Sequence, residues 1–281
     1  MSTQADLHMH STFSDGQYSW KEICKSVLNS DLKLFSVTDH DCIDFYKQKL
    51  PSEIIDKLLN GVEITTQYKG KSVHLLVYNF EINDPHLNKL LKELNTARKQ
   101  RIQNIFKRLE SSGFDLHYNK QKEITTSAEI ADILVENSYV ESRSKAYVKI
   151  LKHNEFPELS YDLFPTLQKV LEILSKSKKL LFVIAHPGFQ FYLETKLIEE
   201  MFELGIHGLE VYHYSHNRKQ RLYFRRLCKQ WQKIVTGGSD FHGNSLSPHK
   251  IGKFGLDFHQ LKNFTSKAKL NFTFSDSKIL L

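Results

Sequence analysis

Two hydrophobic rhythms divide this chain of 281 residues. Short apolar, β-rich runs recur at "LFSVTDH" (34 to 40), "GVEITTQY" (61 to 68), "SVHLLVYNF" (72 to 80), "LLFVIAHP" (180 to 187), "GLEVYHY" (208 to 214) and "IVTGGSD" (234 to 240). Apolar residues spaced three or four apart predict helices over 19 to 30, 194 to 204 and 216 to 232. Strands alternating with helices point to parallel strands in an α/β fold. From about 85 to 178 the rhythm changes to amphipathic helices, over 86 to 112, 127 to 136 and 165 to 177, with no convincing strand. The expected organisation is therefore a main body of residues 1–84 and 179–281, with 85–178 inserted as a helical cap. Within the insertion, "HNEFPELSYDLFP" (153 to 165) reads as an irregular connection, because Pro157 and Pro165 restrict helix continuation.

Composition narrows the class. With 40% hydrophobic and 25% charged residues, the chain is expected to fold as one globular domain rather than remain disordered. Cys24, Cys42 and Cys228 are odd in number and far apart, which fits reduced thiols and a cytoplasmic protein better than a disulfide framework. No basic segment leads into an apolar stretch at the N-terminus, and no run is apolar for long enough to span a bilayer, so no membrane association is expected. The net charge of +7 favours polyanionic partners at long range. Basic clusters such as "RKQR" (98 to 101) and "RKQRLYFRR" (218 to 226) nonetheless fit the solvated faces of helices.

Candidate chemistry lies at the strand ends. His8 and His10 end the first strand, with Asp15 just beyond; Asp39 and His40 end the second, Glu63 lies in the third and His74 in the fourth. After the insertion come His186, then Glu210 and His213, then Asp240 and His242. In barrels of parallel strands such ends converge on one face, so residues scattered in sequence share a pocket. Alternate strand residues point to the same side, which lets His8 and His10 face one ion. Taken singly, each residue has a plainer role, as a hydrogen-bonded histidine or as an aspartate that caps a helix or makes a turn. Their joint recurrence favours metal. No Walker A sequence, dinucleotide fingerprint or G-x-S-x-G elbow competes with it, and Cys42 is assigned a structural role.

Assembled in order, "DLHMHSTFSDG", "SVTDHD", "GVEIT", "VHLLVY", "IAHPG", "GLEVYHYSH" and "GGSDFHG" resemble the PHP (polymerase and histidinol phosphatase) family of metal-dependent phosphoesterases. The "HSTFSDG" form, the helix "ARKQRIQNIFKRLESSGF" and "EVYHYSH" are similar to the bacterial subgroup that hydrolyses 3′,5′-bisphosphorylated nucleotides and the 5′ ends of short RNAs. The resemblance implies a distorted (β/α)7 barrel with up to three divalent ions per chain. Manganese and iron are the usual ions, with zinc also compatible with such ligands. Position by position, it implies one ion held by His8, His10, Glu63 and Asp240, a second shared by Glu63 with His74 and His186, and a third held by Asp15, His40 and His242. It further implies hydrolysis by in-line attack of a hydroxide bridging the ions. Asp39 is placed either to orient a ligand imidazole or to make a simple turn.

One motif departs from the subgroup. Relatives often carry "GRPHLA" at a helix start in the insertion, where Arg and His suit phosphate; here the stretch is "TTSAEIADILVENSYV", with Ser127 and Glu129 at the aligned places. Arg143, Lys145, His216 and Arg218 are the substitutes expected to contact substrate, His216 first because "YSH" matches the subgroup. The expected substrate is a phosphorylated nucleotide or a short RNA or DNA. Two alternatives stand beside it: a phosphatase for a small non-nucleotide monoester, and a non-catalytic module that binds RNA or protein on the same scaffold.

Overall fold

The computed structural model describes residues 2–119, 124, 126–151, 162–243 and 249–272. Strand β1 (Ala5–Asp6) pairs in parallel with β2 (Leu34–Phe35). A second sheet runs in the order β3 (Gly61–Tyr68), β4 (Lys71–Tyr78), β5 (Leu181–Ile184), β6 (Gly208–His213) and β7 (Ile234–Gly238). Backbone bonds link the two sheets at both edges. On one side Leu7 N–H donates to Gly237 O and His10 N–H to Phe241 O; on the other Asp41 N–H donates to Glu63 O and Leu59 N–H to Phe35 O.

The helices are α1 (Trp20–Leu28), α2 (Ser52–Ile55), α3 (Pro85–Ser111), α4 (Ser127–Glu136), α5 (Arg143–Lys149), α6 (Leu167–Leu174), α7 (Thr195–Glu203), α8 (Arg218–Gln230) and α9 (Phe258–Lys267). Those expected from periodicity form within a few residues of their predicted bounds. Three others went unanticipated, the short α2 among them. Helix α5 buries only Ala146, so it has almost no apolar period, whereas α9 announces itself by the reciprocal Asp257–Gln260 cap rather than by its core face. Of the expected connection at 153 to 165, residues 153–161 lie outside the described residues.

The expectation of parallel strands holds for β5, β6 and β7 and fails for β4, which runs antiparallel to both β3 and β5. The cause is local: β3 and β4 are joined by Lys69 and Gly70 alone, both at positive φ, and a two-residue connection of that conformation makes a hairpin. This reversal brings His74, near the start of β4, to the end of the sheet where the other strands finish.

Alternate residues of β4 face two different cores. Leu75 and Val77 enter the larger one, which is covered by Ile23 and Val27 of α1, Ile198 and Met201 of α7 and Phe224 of α8. Leu76 and Tyr78 enter a smaller one with Leu7, Leu34, Val183, Ile234 and Phe264. The Tyr78 hydroxyl spans that smaller core to donate to Leu7 O at 2.8 Å. By the two-residue period of a strand, His74 shares the face of Leu76 and Tyr78.

The insertion is not a separate body throughout. The first half of α3 (Leu87, Leu90, Leu91, Leu94) and all of the apolar face of α6 belong to the larger core. Ile102, Ile105 and Leu109 of the second half of α3 pack instead with Ile130, Leu134 and Ala146 of α4 and α5. Between the two halves, the buried Arg98 guanidinium grips the Asp41 carboxylate and the Thr65 hydroxyl, while Asn95 donates to Asp41 O at 2.9 Å. Removing one member of such a buried pair strands the other charge. Arg98→Met is expected to lower the unfolding free energy by about 3–5 kcal/mol, read as a fall in the urea midpoint at unchanged slope.

Candidate metal centre

Glu63 is the hub of the site. From β3 its carboxylate meets five imidazoles: His8 Nε2 at 3.3 Å, His10 Nε2 at 3.3 Å and His40 Nδ1 at 3.1 Å on one oxygen, with His74 Nδ1 at 2.9 Å and His186 Nε2 at 3.1 Å on the other. Asp240 faces the same space, its Oδ1 lying 3.4 Å from His8 Nε2 and 3.2 Å from His10 Nε2. Beside this group Asp15 Oδ1 lies 3.2 Å from His242 Nε2 and 3.7 Å from His10 Nδ1, and its other oxygen lies 3.7 Å from His40 Nε2. All nine residues expected from sequence as ligands are thus brought together, with His8, His10 and Glu63 buried and the other six partly exposed.

Close approach is built into the backbone. A Cβ at Gly238 would lie 2.4 Å from that of His8, so only glycine lets β7 pass the imidazole-bearing segment. His186 and Asp240 both adopt positive φ, a conformation unusual for non-glycine residues and found preferentially where function demands it.

Proton bookkeeping shows what the cluster accepts. His8 Nδ1 lies 3.1 Å from both oxygens of buried Glu210, so in the neutral ring it carries the proton and Nε2 keeps the lone pair. That lone pair faces His10 Nε2 at 3.2 Å and the acceptor oxygens of Glu63 and Asp240. Likewise His242 Nδ1 donates to Asp240 O at 2.9 Å, turning its Nε2 lone pair toward Asp15. His40 Nδ1, although close to Glu63, is buried and forms no hydrogen bond with any described residue. Acceptors aimed at acceptors fit cations placed between them, and the nitrogen and oxygen donors suit borderline divalent ions.

The electrostatics agree. Burial alone would raise Asp240, Asp15 and Glu63, yet neighbouring imidazoles, chiefly His8, His242 and His40 respectively, hold all three well below the usual carboxylate range. Burial opposes protonation of His10, but Asp240 and Glu63 override it and lift His10 to about 10. The cluster thus favours positive charge strongly even in the absence of an ion.

Supporting residues differ in part from those expected. Glu210 and His213, noted in sequence only as strand-end groups, sit inside the cluster: Glu210 fixes His8 and accepts from His186 N at 2.8 Å, and His213 Nε2 lies 3.3 Å from Asp240. The Asp39 carboxylate forms no hydrogen bond with the His40 ring. Its carboxylate accepts from Ser11 N and Oγ at 2.7 and 2.6 Å and from Ser14 Oγ at 2.6 Å, and Ser14 Oγ in turn lies 3.5 Å from His10 Nδ1. Burial pushes the Cys42 thiol up to about 12, consistent with a structural role.

A cleft of about 610 Å³ opens over the cluster, walled by Arg101, Ser127, Arg143 and Tyr147 of the insertion and by Phe189 and Tyr214 of the main body. Of the four expected substrate contacts only Arg143 lines it, braced by Asp132, whose Oδ1 accepts from Arg143 Nε at 2.9 Å. Lys145 and Arg218 are exposed outside it, and Lys145 is paired with Glu141 at 3.1 Å. His216 requires correction: it is buried, with Nδ1 donating to Val211 O at 3.0 Å and Nε2 accepting from Gly188 N at 2.9 Å, and burial lowers it to about 4. Neutral and fully bonded, it has nothing left to offer a phosphate.

Arg101, assigned from sequence to a solvated face, is instead buried against the cleft. Its signal was the helical period, since Arg98 and Arg101 fall on the stripe running from Leu94 to Ile102 and Ile105. Glu129, at the place where the family resemblance implies a phosphate contact, closes the N-terminus of α4: its carboxylate accepts from Thr126 N at 3.1 Å while its own N–H donates to Thr126 Oγ1 at 3.2 Å.

Among known proteins the chain is similar to a 5′-3′ exoribonuclease of Haemophilus influenzae, 27% identical over 86% of this chain and 91% of that one. It is also similar to a 3′,5′-nucleoside bisphosphate phosphatase of Chromobacterium violaceum, 25% identical over 88% of this chain and 90% of that one. A solved amidohydrolase structure from Chromobacterium violaceum shares the fold with a TM-score of 0.79 at 22% identity, covering 94% of this chain and 96% of the other. The PHP domain signature itself spans residues 6–176, more than half of the sequence, and the chain belongs to the PHP domain family.

Proposed function

We propose that this protein is a metal-dependent phosphoesterase that hydrolyses phosphate esters of nucleotides or short oligonucleotides. The observation that carries this reading is the convergence of imidazole nitrogens and carboxylate oxygens on shared points: His8 and His10 Nε2 with Glu63 and Asp240, and His242 Nε2 with Asp15. In this reading His8, His10, Glu63 and Asp240 hold one ion, Glu63 with His74 and His186 a second, and Asp15, His40 and His242 a third, with manganese or iron preferred and zinc compatible. Such ions supply the charge that makes a water nucleophilic near neutral pH and that offsets the charge on the phosphate. The relatives named as exoribonuclease and bisphosphate phosphatase support a nucleotide substrate.

The chain's own groups have separable tasks. Glu210 holds His8 in the tautomer that presents Nε2, as carboxylates do behind ligand histidines. Asp39 holds Ser11 and Ser14 and so fixes the turn that carries Asp15. Arg101 and Arg143, on the cleft wall contributed by the insertion, would hold a phosphate that does not react, through charge-assisted hydrogen bonds. Residues 85–178 act in this reading as the substrate-side cap, mainly through the small core of α4, α5 and the second half of α3. The edge bonds between the two sheets and the enclosed core around Tyr78 support a distorted seven-stranded barrel beneath the site.

A second reading, phosphatase action on a small non-nucleotide monoester, draws support from one feature: Glu129 is spent on a helix cap at the place where the family resemblance implies a phosphate contact. Phosphate release by the manganese-loaded protein from 3′,5′-bisphosphonucleotides, short 5′-phosphorylated RNA and sugar phosphates separates the readings. Release only from sugar phosphates would overturn the nucleotide assignment. His8→Ala and Asp240→Ala should each reduce turnover at least about 100-fold, with far-UV circular dichroism retained; turnover within tenfold of wild type in either would contradict the metal centre. Glu210→Gln keeps the shape but weakens the hold on His8, and should lower metal affinity about 10- to 100-fold, read by titration with a metal-sensitive dye.

A further inference from the structure

Phe189 is the one exposed phenylalanine among the described residues, at 61% exposure, and it lies on the wall of the cleft above the ligand cluster. Its position is imposed from below. Phe189 N–H donates to His186 O at 3.2 Å, Phe191 N–H donates to Pro187 O at 2.8 Å, and the Phe191 ring is buried. Gly188 between them is pinned on both sides, its N–H donating to His216 Nε2 and its carbonyl accepting from Gln220 at 3.1 Å. A side chain on Gly188 would lie 2.4 Å from the His216 ring, so the loop seats directly on that imidazole. His216, lost as a phosphate contact, is thereby the post that holds the loop in place.

The Phe189 ring is also oriented. It stands edge-on to His186 at 5.4 Å and 66°, and to His213 at 6.1 Å and 75°. Tyr147, 36% exposed, and Tyr214 line the same cleft. A phosphate at the imidazole cluster would thus bring the rest of its molecule against aromatic walls, with Arg101 and Arg143 nearby for further negative charge. Flat aromatic groups attached to phosphates meet both requirements; sugar phosphates without a base meet only the second.

We propose that Phe189 is the stacking platform for the substrate's nucleobase, and that the site therefore selects phosphate esters bearing a base over base-free ones. This rests on the phosphoesterase reading above and deepens it to a specificity determinant. Base–aromatic stacking is tolerant of base identity, so the selection is for a nucleotide of any sequence. The measure is the ratio of kcat/KM for adenosine 3′,5′-bisphosphate to that for ribose 3,5-bisphosphate, using manganese-loaded full-length protein. Phe189→Ala should lower that ratio about 5- to 100-fold, and Phe189→Trp should restore it. An equal loss on both esters, which is what a merely structural role for Phe189 predicts, or an unchanged ratio would overturn the proposal. Should the wild-type protein hydrolyse neither ester nor short 5′-phosphorylated RNA, the phosphoesterase reading fails by itself. Equilibrium binding of adenosine 5′-monophosphate and ribose 5-phosphate then decides the platform: tighter nucleotide binding lost in Phe189→Ala supports it, and equal affinities overturn it.

Discussion

The carboxylate of Glu63, buried among five imidazoles, is the constraint around which this structure is organised. Those imidazoles come from the segment after β1, from the segment after β2, from β4 and from the second residue after β5. A slip of one residue in any of these strands would turn its ligand to the opposite face, because side chains alternate with a period of two. The register between β3 and β4, the bridge between His40 and Glu63 and the parallel bridge between Met9 and Phe241 are therefore requirements of one site. Such a concentration of titratable groups is costly to bury and becomes affordable only when positive charge is shared among them.

The hub explains why the hydrogen-bonding residues around it are also buried. Neutral histidine carries its proton on either nitrogen, and an unrestrained ring would present the wrong one about as readily as the right one. Glu210 on His8 and the Asp240 carbonyl on His242 remove that freedom. Asp39 performs the corresponding service for the backbone, gathering Ser11 and Ser14 so that Asp15 returns to the cluster after the chain has left the sheet. The donors thus arrive pre-oriented, and little ordering is left for the moment an ion binds.

Much of this was legible in sequence because ligand chemistry needs particular side chains at particular places on strands. Residue type at strand ends supplies a wider set of candidates that includes Asp39, Glu210 and His213, and the family resemblance narrows it to nine; the main helices follow from period. The direction of β4 was legible only from "YKGK", a two-residue connection whose meaning lies in backbone conformation rather than hydropathy. The errors share one physical origin, which is that charged and polar residues were assigned by type rather than by phase. Arg98 and Arg101 look solvated by composition and lie on the buried stripe by period. His216 looks like a phosphate contact by motif, but the "YSH" turn carries it under Gly188, where both nitrogens are already engaged. Glu129 reads as a lost contact until the Thr126-x-x-Glu129 spacing is recognised as a helix cap.

The phase of α3 has a consequence for how cap and centre act together. At 1.5 Å per residue this helix of 27 residues spans about 40 Å, long enough to lie with one half in the main core and the other in the cap. The crossing point is Arg98, whose partner Asp41 follows His40 directly and whose other partner Thr65 lies two residues beyond Glu63. Arg101 is one turn further along the same helix, on the cleft wall. Because a helix transmits position along its axis with little give, the ion pair that secures α3 also sets the height of Arg101 above the ligand cluster. The position of Arg101 on the cleft wall and the geometry of His40 and Glu63 are thus tied to one buried pair rather than set independently.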